Sequence, residues 1–284
     1  MKSFVEEDPS LKGMYWVKDA GACSGVYVLE EGRTIIDVGN MYGLADELQD
    51  LGPMTRLERI LLTHAHFDHV GGVEEIYQIV SPDVYAHPVS REYLRLHRPP
   101  FPAFFDALEK DGKLKPIADG DRIEGSPTLQ VIHTPGHTAG DVCFFDEETG
   151  SLFSGDTVLP YRYKLGPMIS KPDEVLGGRL KDKLASIKKL LGLPVRHLFP
   201  GHGDPIFHKG ADQIKLTLYS LYNSLHEENP ERAWISMGMD LLDLGQIGEA
   251  RQCLSKAAQL APDAPETRQF EERIHAMAQS QKGA

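Results

Sequence analysis

The segment from Thr63 to His69 reads Thr-His-Ala-His-Phe-Asp-His and concentrates side chains that bind metal ions. His64 and His66 are two residues apart, so their imidazoles point to the same side if the segment is extended. Asp68 and His69 follow directly. So many ligand side chains behind a buried apolar strand would be costly unless a cation neutralised and satisfied them. Zinc and similar metals take imidazole and carboxylate ligands at this density, so the segment predicts a metal site.

Three later residues occur in the same local context, a predicted strand end followed by a turn marked by glycine or proline. They are His137 in Thr-Pro-Gly-His-Thr, Asp156 in Ser-Gly-Asp-Thr and His202 in Pro-Gly-His-Gly-Asp. Any one of them alone is more typical of a turn or capping residue than of a ligand. Together with the His-rich segment, and in this order, they indicate one metal centre.

The motif His-x-His-x-Asp-His, followed by these three residues, closely resembles that of the metallo-β-lactamase superfamily. The resemblance covers Tyr15 to Phe207 and implies an α/β fold, the αβ/βα metallo-β-lactamase sandwich, with two metals in a cleft at the strand ends. The ligands it implies are His64, His66 and His137 for the first metal, Asp68, His69 and His202 for the second, and Asp156 as a bridge. Aspartate rather than cysteine at 156 separates the chain from the best-known β-lactamases of the fold.

The resemblance further implies a hydrolase that holds two Zn²⁺ ions. Two divalent ions can share a water and lower its pKa towards ~7, so that hydroxide is available at neutral pH. Asp68 is predicted to be both a ligand and a catalytic residue that orients the nucleophile or passes a proton to the leaving group. Tyr161, and with it Tyr163, follow Asp156 closely, and Tyr161 is the candidate for a hydrogen bond to an oxyanion or leaving group.

The expected substrate is a small molecule, a thioester or lactone, because Thr63 to Gly72 and the turn at Pro200 look most like the glyoxalase II-like branch. An aromatic loop with Phe101, Phe104 and Phe105 could line an apolar acyl pocket or simply pack over the sheet. One alternative is a mononuclear oxygenase similar to the persulfide dioxygenases, which can retain all seven residues while filling only one metal site, with Fe²⁺. Another is a non-enzymatic protein that acts through its C-terminal helices.

Composition excludes several other classes. Among 284 residues, 30 Lys and Arg face 42 Asp and Glu, for a formal charge of −12 that disfavours a nucleic-acid substrate. Three distant cysteines fit a reducing compartment. The chain has neither a signal-like apolar run near its first residues nor the ~20 consecutive apolar residues that span a bilayer. We therefore expect a cytoplasmic protein with no membrane partner.

Hydrophobic periodicity predicts strands and helices that alternate in two comparable halves. Prolines in the stretch 97–105 predict a loop there. The predicted strands are 14–17, 25–29, 34–38, 59–62, 83–86, 121–123, 128–133, 141–145, 151–154 and 195–199, and the predicted helices are 42–51, 70–80, 88–96 and 173–191.

Beyond Lys209 the pattern is helical, and we place a domain boundary before Pro230. Residues 1–229 then form the catalytic domain and residues 230–284 a helical tail. Glu231 to Ala264 resembles one tetratricopeptide repeat, followed by a capping helix, with signature positions at Trp234, Met237, Gly238, Leu241, Gly245, Ala250, Leu254, Ala257 and Pro262. A single repeat rarely stands alone, so the tail packs on its own domain, on a second copy in a homodimer, or on a protein partner.

Overall fold

The computed structural model describes residues 1–18, 24–40, 43–98, 101–162, 166–167 and 169–280, without the side chains of 161–162 and 166–167. The chain divides into two compact units. The first, called the sheet unit here, comprises 1–187 and 193–213, and the second, the helical unit, comprises 188–192 and 214–284. No helix among the described residues is long and apolar enough to cross a membrane.

A seven-stranded sheet forms the first half of the sheet unit, with its strands in the order of the sequence. The strands are β1 (Lys2–Ser3), β2 (Tyr15–Val17), β3 (Val26–Leu29), β4 (Thr34–Ile36), β5 (Arg59–Leu61), β6 (Asp83–Ala86) and β7 (Leu114–Pro116). Pairing is antiparallel from β1 to β4 and parallel from β4 to β7. The parallel strands require crossover helices, which explains why helices alternate with strands in this half.

A five-stranded sheet forms the second half, in the order β14-β11-β10-β9-β8. Its strands are β8 (Arg122–Ile123), β9 (Leu129–His133), β10 (Val142–Asp146), β11 (Ser151–Gly155) and β14 (His197–Pro200). The pairing is antiparallel except between β11 and β14. Between them, β12 (Tyr161–Arg162) and β13 (Gly166–Pro167) form a separate two-stranded ribbon.

Two hydrophobic clusters hold these layers together. One cluster joins the inner faces of both sheets, with Tyr27 and Leu61 from the first and Phe144 and Phe199 from the second. The other lies between the first sheet and the helices α1 (Leu44–Gln49), α2 (Phe67–Val70), α3 (Val73–Ile79), α4 (Pro88–Leu94) and α5 (Phe101–Lys110). Strands buried on both faces need continuous apolar runs, which the sequence supplies. The predicted α/β sandwich followed by helices is confirmed.

Helix α5 corrects the prediction of a loop over 97–105. The helix starts at Phe101, so Pro102 lies in its first turn, where a missing N–H costs nothing because that N–H would have no partner in the helix. Phe101 and Phe105 are buried in the core of the sheet unit, and Phe104 packs against it. These aromatic side chains therefore pack over the sheet rather than line a loop pocket.

Helix α6 (Leu180–Leu191) begins later than the predicted start at 173. Asp173 accepts hydrogen bonds from the N–H groups of Val175 and Leu176, at 2.9 and 3.2 Å, and Gly177 has a left-handed φ of 72°. An aspartate that satisfies the amides two and three residues ahead favours a turn over a helix. The residues before Leu180 are therefore a loop, and this loop matters for the site.

The helical unit contains most of α7 (Gly210–Leu225) together with α8 (Pro230–Asp243), α9 (Ile247–Leu260) and α10 (Pro265–Ser280). Gly238 lets these helices approach closely, since a Cβ there would lie 2.3 Å from the Phe270 ring and 2.8 Å from Cβ of Cys253. Helix α8 starts at Pro230, whereas the unit itself starts at Ile214 within α7. The boundary before Pro230 stays a prediction.

Candidate metal centre

The predicted ligands all follow strands and gather at one edge of the two sheets. His64 and His66 come after β5, and His66 directly precedes the single-turn helix α2, which carries Asp68 and His69. His137, Asp156 and His202 follow β9, β11 and β14. Strand ends are where open α/β sheets place their ligand sites, because the chain there is free to turn and expose side chains. The structure brings the predicted ligands together.

The first cluster consists of His64, His66 and His137. Nδ1 of His66 lies 3.0 Å from Nε2 of His64 and 3.0 Å from Nε2 of His137. Ligand atoms around a tetrahedral zinc are about 3.3 Å apart, given Zn–N bonds of about 2.0–2.1 Å. The three nitrogens therefore converge as the ligands of one metal ion would.

The outward nitrogens of the first cluster each have another partner. Nδ1 of His137 donates to the carbonyl of Lys171 at 2.7 Å, and Nε2 of His66 lies 3.0 Å from Oδ2 of Asp173. Nδ1 of His64 lies 3.0 Å from Oγ1 of Thr63. A proton held on the outward nitrogen leaves the inward nitrogen with a free lone pair, which is the arrangement that metal-binding histidines use.

The second cluster consists of Asp68, His69 and His202. Nε2 of His202 lies 3.2 Å from Oδ2 of Asp68 and 3.4 Å from Nε2 of His69. Nδ1 of His69 donates to Oδ2 of Asp37 at 2.8 Å, which again leaves its inward nitrogen facing the cluster. This set mixes imidazole and carboxylate donors, both of which suit zinc and iron.

Asp156 lies between the two clusters. Its Oδ2 is 3.5 Å from Nε2 of His137 and 3.5 Å from Nε2 of His202, while its Oδ1 is 3.6 Å from Nε2 of His69. Oδ1 is buried and has no hydrogen-bond partner among the described residues. A buried carboxylate oxygen without a partner is costly, and a bound cation would satisfy it. The donor set therefore fits two metal ions that share Asp156.

The pKa values differ between the two clusters. Burial lowers the pKa of His64 well below its ordinary value and that of His137 to about 4, so both are neutral at pH 7. Burial acts in the same direction on His69, but the carboxylates of Asp37, Asp156 and Asp68 outweigh it and raise its pKa to about 9. Burial raises the pKa of Asp68, yet its interactions with His202 and His69 prevail and lower it to about 2.

Asp37 is a functional residue that sequence reasoning missed. It is buried after β4 with a left-handed φ of 54°, and its carboxylate accepts from N–H and Oγ1 of Thr63, both at 2.8 Å, as well as from His69. It thus orients one histidine directly and His64 through Thr63. The signal that could have identified it is a lone acid at the end of the apolar run Thr34 to Val38, where an unpaired charge would not be tolerated.

The loop before α6, residues 169–178, is the second missed element. Besides the contacts of Lys171 and Asp173 to the first cluster, Oγ of Ser170 donates to the backbone carbonyl of Asp156. The buried ammonium of Lys183 holds Ser170 through its carbonyl oxygen at 2.7 Å, and burial lowers the pKa of Lys183 to about 8. One loop therefore supports three of the predicted ligands.

The side chains of the tyrosines predicted beside Asp156 lie outside the part of the chain that the structure describes. Tyr161 begins β12, but its side chain lies outside the described residues, as does the whole of Tyr163. The role of Tyr161 stays a prediction. Phe67 is an aromatic residue of the ligand segment whose side chain the structure does describe: it lies between His66 and Asp68 in sequence and is 49% exposed.

Comparison with known proteins agrees with this geometry. The family described as Metallo-beta-lactamase superfamily matches residues 19–202. An atrochrysone carboxyl ACP thioesterase from Aspergillus fumigatus is 31% identical over 54% of this chain and 30% of its own length. A hydroxyacylglutathione hydrolase from Methylobacillus flagellatus is 30% identical over 59% of this chain and 56% of its own.

A crystal structure of the BLEG-1 B3 metallo-beta-lactamase superposes with a TM-score of 0.54 and 29% identity, over 69% of this chain and 95% of that one. The chain spans about half or less of the two curated relatives named above. The family match itself contains the metal centre, because it extends from residue 19 to residue 202 and so includes every predicted ligand.

Proposed function

Because the chain belongs to the metallo-β-lactamase superfamily, we propose that it is a dinuclear-zinc hydrolase that cleaves a small thioester or a lactone. The observation that carries the proposal is Asp156, whose buried and unpartnered Oδ1 lies between two clusters of converging ligand atoms. Bound there, two zinc ions would supply a hydroxide at neutral pH and polarise the acyl oxygen. The relatives named for thioester chemistry support a thioester over other acyl substrates.

We assign separate roles in this reaction to side chains at and around the metal centre. Asp68 is 26% exposed, whereas His69 beside it is fully buried, so Asp68 is the ligand best placed to exchange a proton with the reacting groups. Asp37, Thr63 and Asp173 keep the imidazoles oriented, which spares the site from reorganising during the reaction. Tyr161 is proposed to donate to the oxyanion or leaving group.

Phe67 is proposed to contact the acyl chain of the substrate. Its ring is 5.5 Å from that of Phe101 and 6.0 Å from that of His97, so one side packs on the domain and about half remains exposed. His97 in turn contacts the carbonyl of Ala65 at 2.6 Å, within the ligand segment. An exposed aromatic face on the ligand segment, held by Phe101 and His97, would offer an acyl chain apolar contact with little loss of side-chain freedom.

Metal analysis followed by assay tests this function. We expect about two zinc ions per chain in protein expressed without added metal, and hydrolysis of short acyl thioesters followed by trapping of the released thiol. Lactones are the second substrate series. About one iron per chain, with oxygen consumption on a persulfide and no thioester cleavage, would contradict the proposal and favour the oxygenase.

We also propose that Glu231 to Ala264 is a single tetratricopeptide-like hairpin that mediates homodimerisation. Leu244 and Leu260, before and at the end of α9, are large apolar side chains that are 46% and 53% exposed, and each is available for contact with a second copy. Light scattering of the full chain should give the mass of two copies. If a chain shortened to end at Pro230 kept that mass, the dimer would have to form elsewhere.

A further inference from the structure

A second group of metal-binding side chains lies in the sheet unit away from the metal centre. It consists of Asp8, His197 and His208 and is called the Asp8 cluster here. Asp8 precedes a short turn at Pro9–Leu11, His197 begins β14, and His208 lies just before α7. The three ligand atoms lie within 4.8 Å of one another. The fold thus joins residue 8 to two residues near the end of the sheet unit.

His197 is the unusual member of the Asp8 cluster. It is fully buried, and neither of its ring nitrogens has a hydrogen-bond partner in the described part of the chain. Nε2 lies 3.6 Å from Oδ2 of Asp8, a buried oxygen that is paired with the Arg196 guanidinium rather than with His197. Buried polar atoms nearly always have partners, and leaving one without costs about 1–3 kcal/mol, so such a group calls for an explanation.

His208 presents a lone pair to the same point. Its Nε2 lies 3.4 Å from the carbonyl of Glu7, and its Nδ1 accepts a hydrogen bond from Nε of Arg196 at 3.2 Å. The proton is thus on the outer nitrogen, and Nδ1 faces Oδ2 of Asp8 at 3.8 Å. This tautomer is the one that a metal-binding histidine requires.

Arg196 shows that the Asp8 cluster attracts a cation. Its guanidinium lies 2.8 Å from Oδ2 of Asp8 while it donates to His208, so one positive group uses two of the three acceptor atoms. The Arg196 side chain is 51% exposed and can therefore turn into solvent. It cannot satisfy His197, because a guanidinium only donates and would compete with the His197 N–H for Asp8.

We propose that Asp8, His197 and His208 bind a divalent transition metal of the zinc class in place of the Arg196 guanidinium. Two imidazoles and one carboxylate are a donor set that zinc accepts, and the separations of 3.6 and 3.8 Å need to contract only slightly towards about 3.3 Å. The ion ties residue 8 to β14, the strand that leads to His202. It is a structural site, because its ligands hold distant segments together and lie away from the metal centre.

Equilibrium dialysis of the full chain against zinc, followed by elemental analysis, tests this proposal. Two variants remove ligand atoms with little change to the backbone. In His208→Asn, asparagine tolerates the φ of 60° at this position. In Asp8→Asn, the amide oxygen can still accept from the N–H of Ser10. We expect the wild type to bind one zinc more than either variant. The control His275→Asn, an exposed histidine on α10, should match the wild type.

The Arg196→Ala variant distinguishes a metal site from a simple ion pair. Removing a competing surface cation, worth at most about 1 kcal/mol, should tighten zinc binding at the Asp8 cluster up to about fivefold. Because every comparison is a difference from the wild type, the result does not depend on how many metals the metal centre holds. Equal zinc counts in the wild type, Asp8→Asn and His208→Asn would overturn the proposal.

Discussion

The first and second clusters of the metal centre lie at the same sheet edge but satisfy their ligands in different ways. In the first, the three imidazoles have outward partners, and His64 and His137 are neutral because of burial. In the second, ligands pair with each other, with Asp68 3.2 Å from His202, and His69 is held protonated between carboxylates. A metal ion entering the first cluster meets neutral imidazoles, whereas one entering the second must replace the contact between Asp68 and His202 and release a proton from His69.

Exposure adds to this difference. Two ligands of the second cluster, Asp68 and His202, have side chains that are 26% and 20% exposed, whereas only His66 in the first cluster is exposed to that degree, at 23%. Water competes more readily for the second cluster, so we infer that the first cluster holds its metal more tightly. The second cluster then keeps the ligand that is free to exchange protons. The predictions below test this inequality, from the largest effect to the smallest.

The Asp156→Asn variant should have the largest effect, because it removes the charge that both clusters share. Each metal would lose several kcal/mol of stabilisation, so we expect turnover to fall by about 10³-fold or more. Circular dichroism should be unchanged. The matched control Asp204→Asn alters an aspartate that is 71% exposed and should retain activity. Full activity in Asp156→Asn would refute the shared-ligand mechanism.

The His202→Ala variant should empty the second cluster and leave the first loaded. We expect one metal fewer per chain than in the wild type and a fall in activity of at least about 10²-fold, since losing a ligand costs more than losing its outer partner. In His137→Ala we expect both metals to bind more weakly, because the first cluster loses a ligand and Asp156, which the two clusters share, is then no longer held from that side. Elemental analysis measures both variants. Equal metal loss in the two would show that the clusters do not differ.

Many of the candidate ligands could be predicted from the sequence, because the residue types that bind metal ions are known. His64, Asp68 and Asp156 are indicated by their spacing and by the turns that follow their strands. Asp37 and Asp173 do not, since nothing in a single carboxylate shows which imidazole it will face after folding. Their roles arise from contacts across 32 and 107 residues of chain, which periodicity does not report.

The fold was predictable for a related reason. The apolar runs around Ile60 and Phe144 specify buried strands, and both appear as predicted. The errors at α5 and α6 concern prolines and a turn-forming aspartate, whose meaning depends on position. Pro102 is compatible with a helix only because it lies in the first turn, and Asp173 prevents an earlier start of α6 only because its carboxylate faces back onto the chain.

The Asp173→Asn variant should weaken the first cluster specifically. Losing the charged partner of His66 should reduce metal affinity about 10- to 100-fold, while the asparagine oxygen can still accept from the N–H groups of Val175 and Leu176. The neighbouring and exposed Glu174→Gln serves as control. In a chelator titration with metal readout, both metals should then be released at similar chelator concentrations, because the first cluster no longer binds its metal more tightly than the second. An unchanged two-step release would assign Asp173 to the loop turn alone.

The smallest effect should come from Phe67→Ala, which leaves the ligands of both clusters intact. Because the ring is 49% exposed, its removal should hardly change stability, and both metals should remain bound. The loss of apolar contact, about 1 kcal/mol, should raise KM about fivefold for long acyl chains and less for short ones, with kcat almost unchanged. Leu96→Ala, an apolar side chain that is 62% exposed, is the control. A KM that rises equally for every chain length would mean that Phe67 shapes the ligand segment instead of contacting the acyl group.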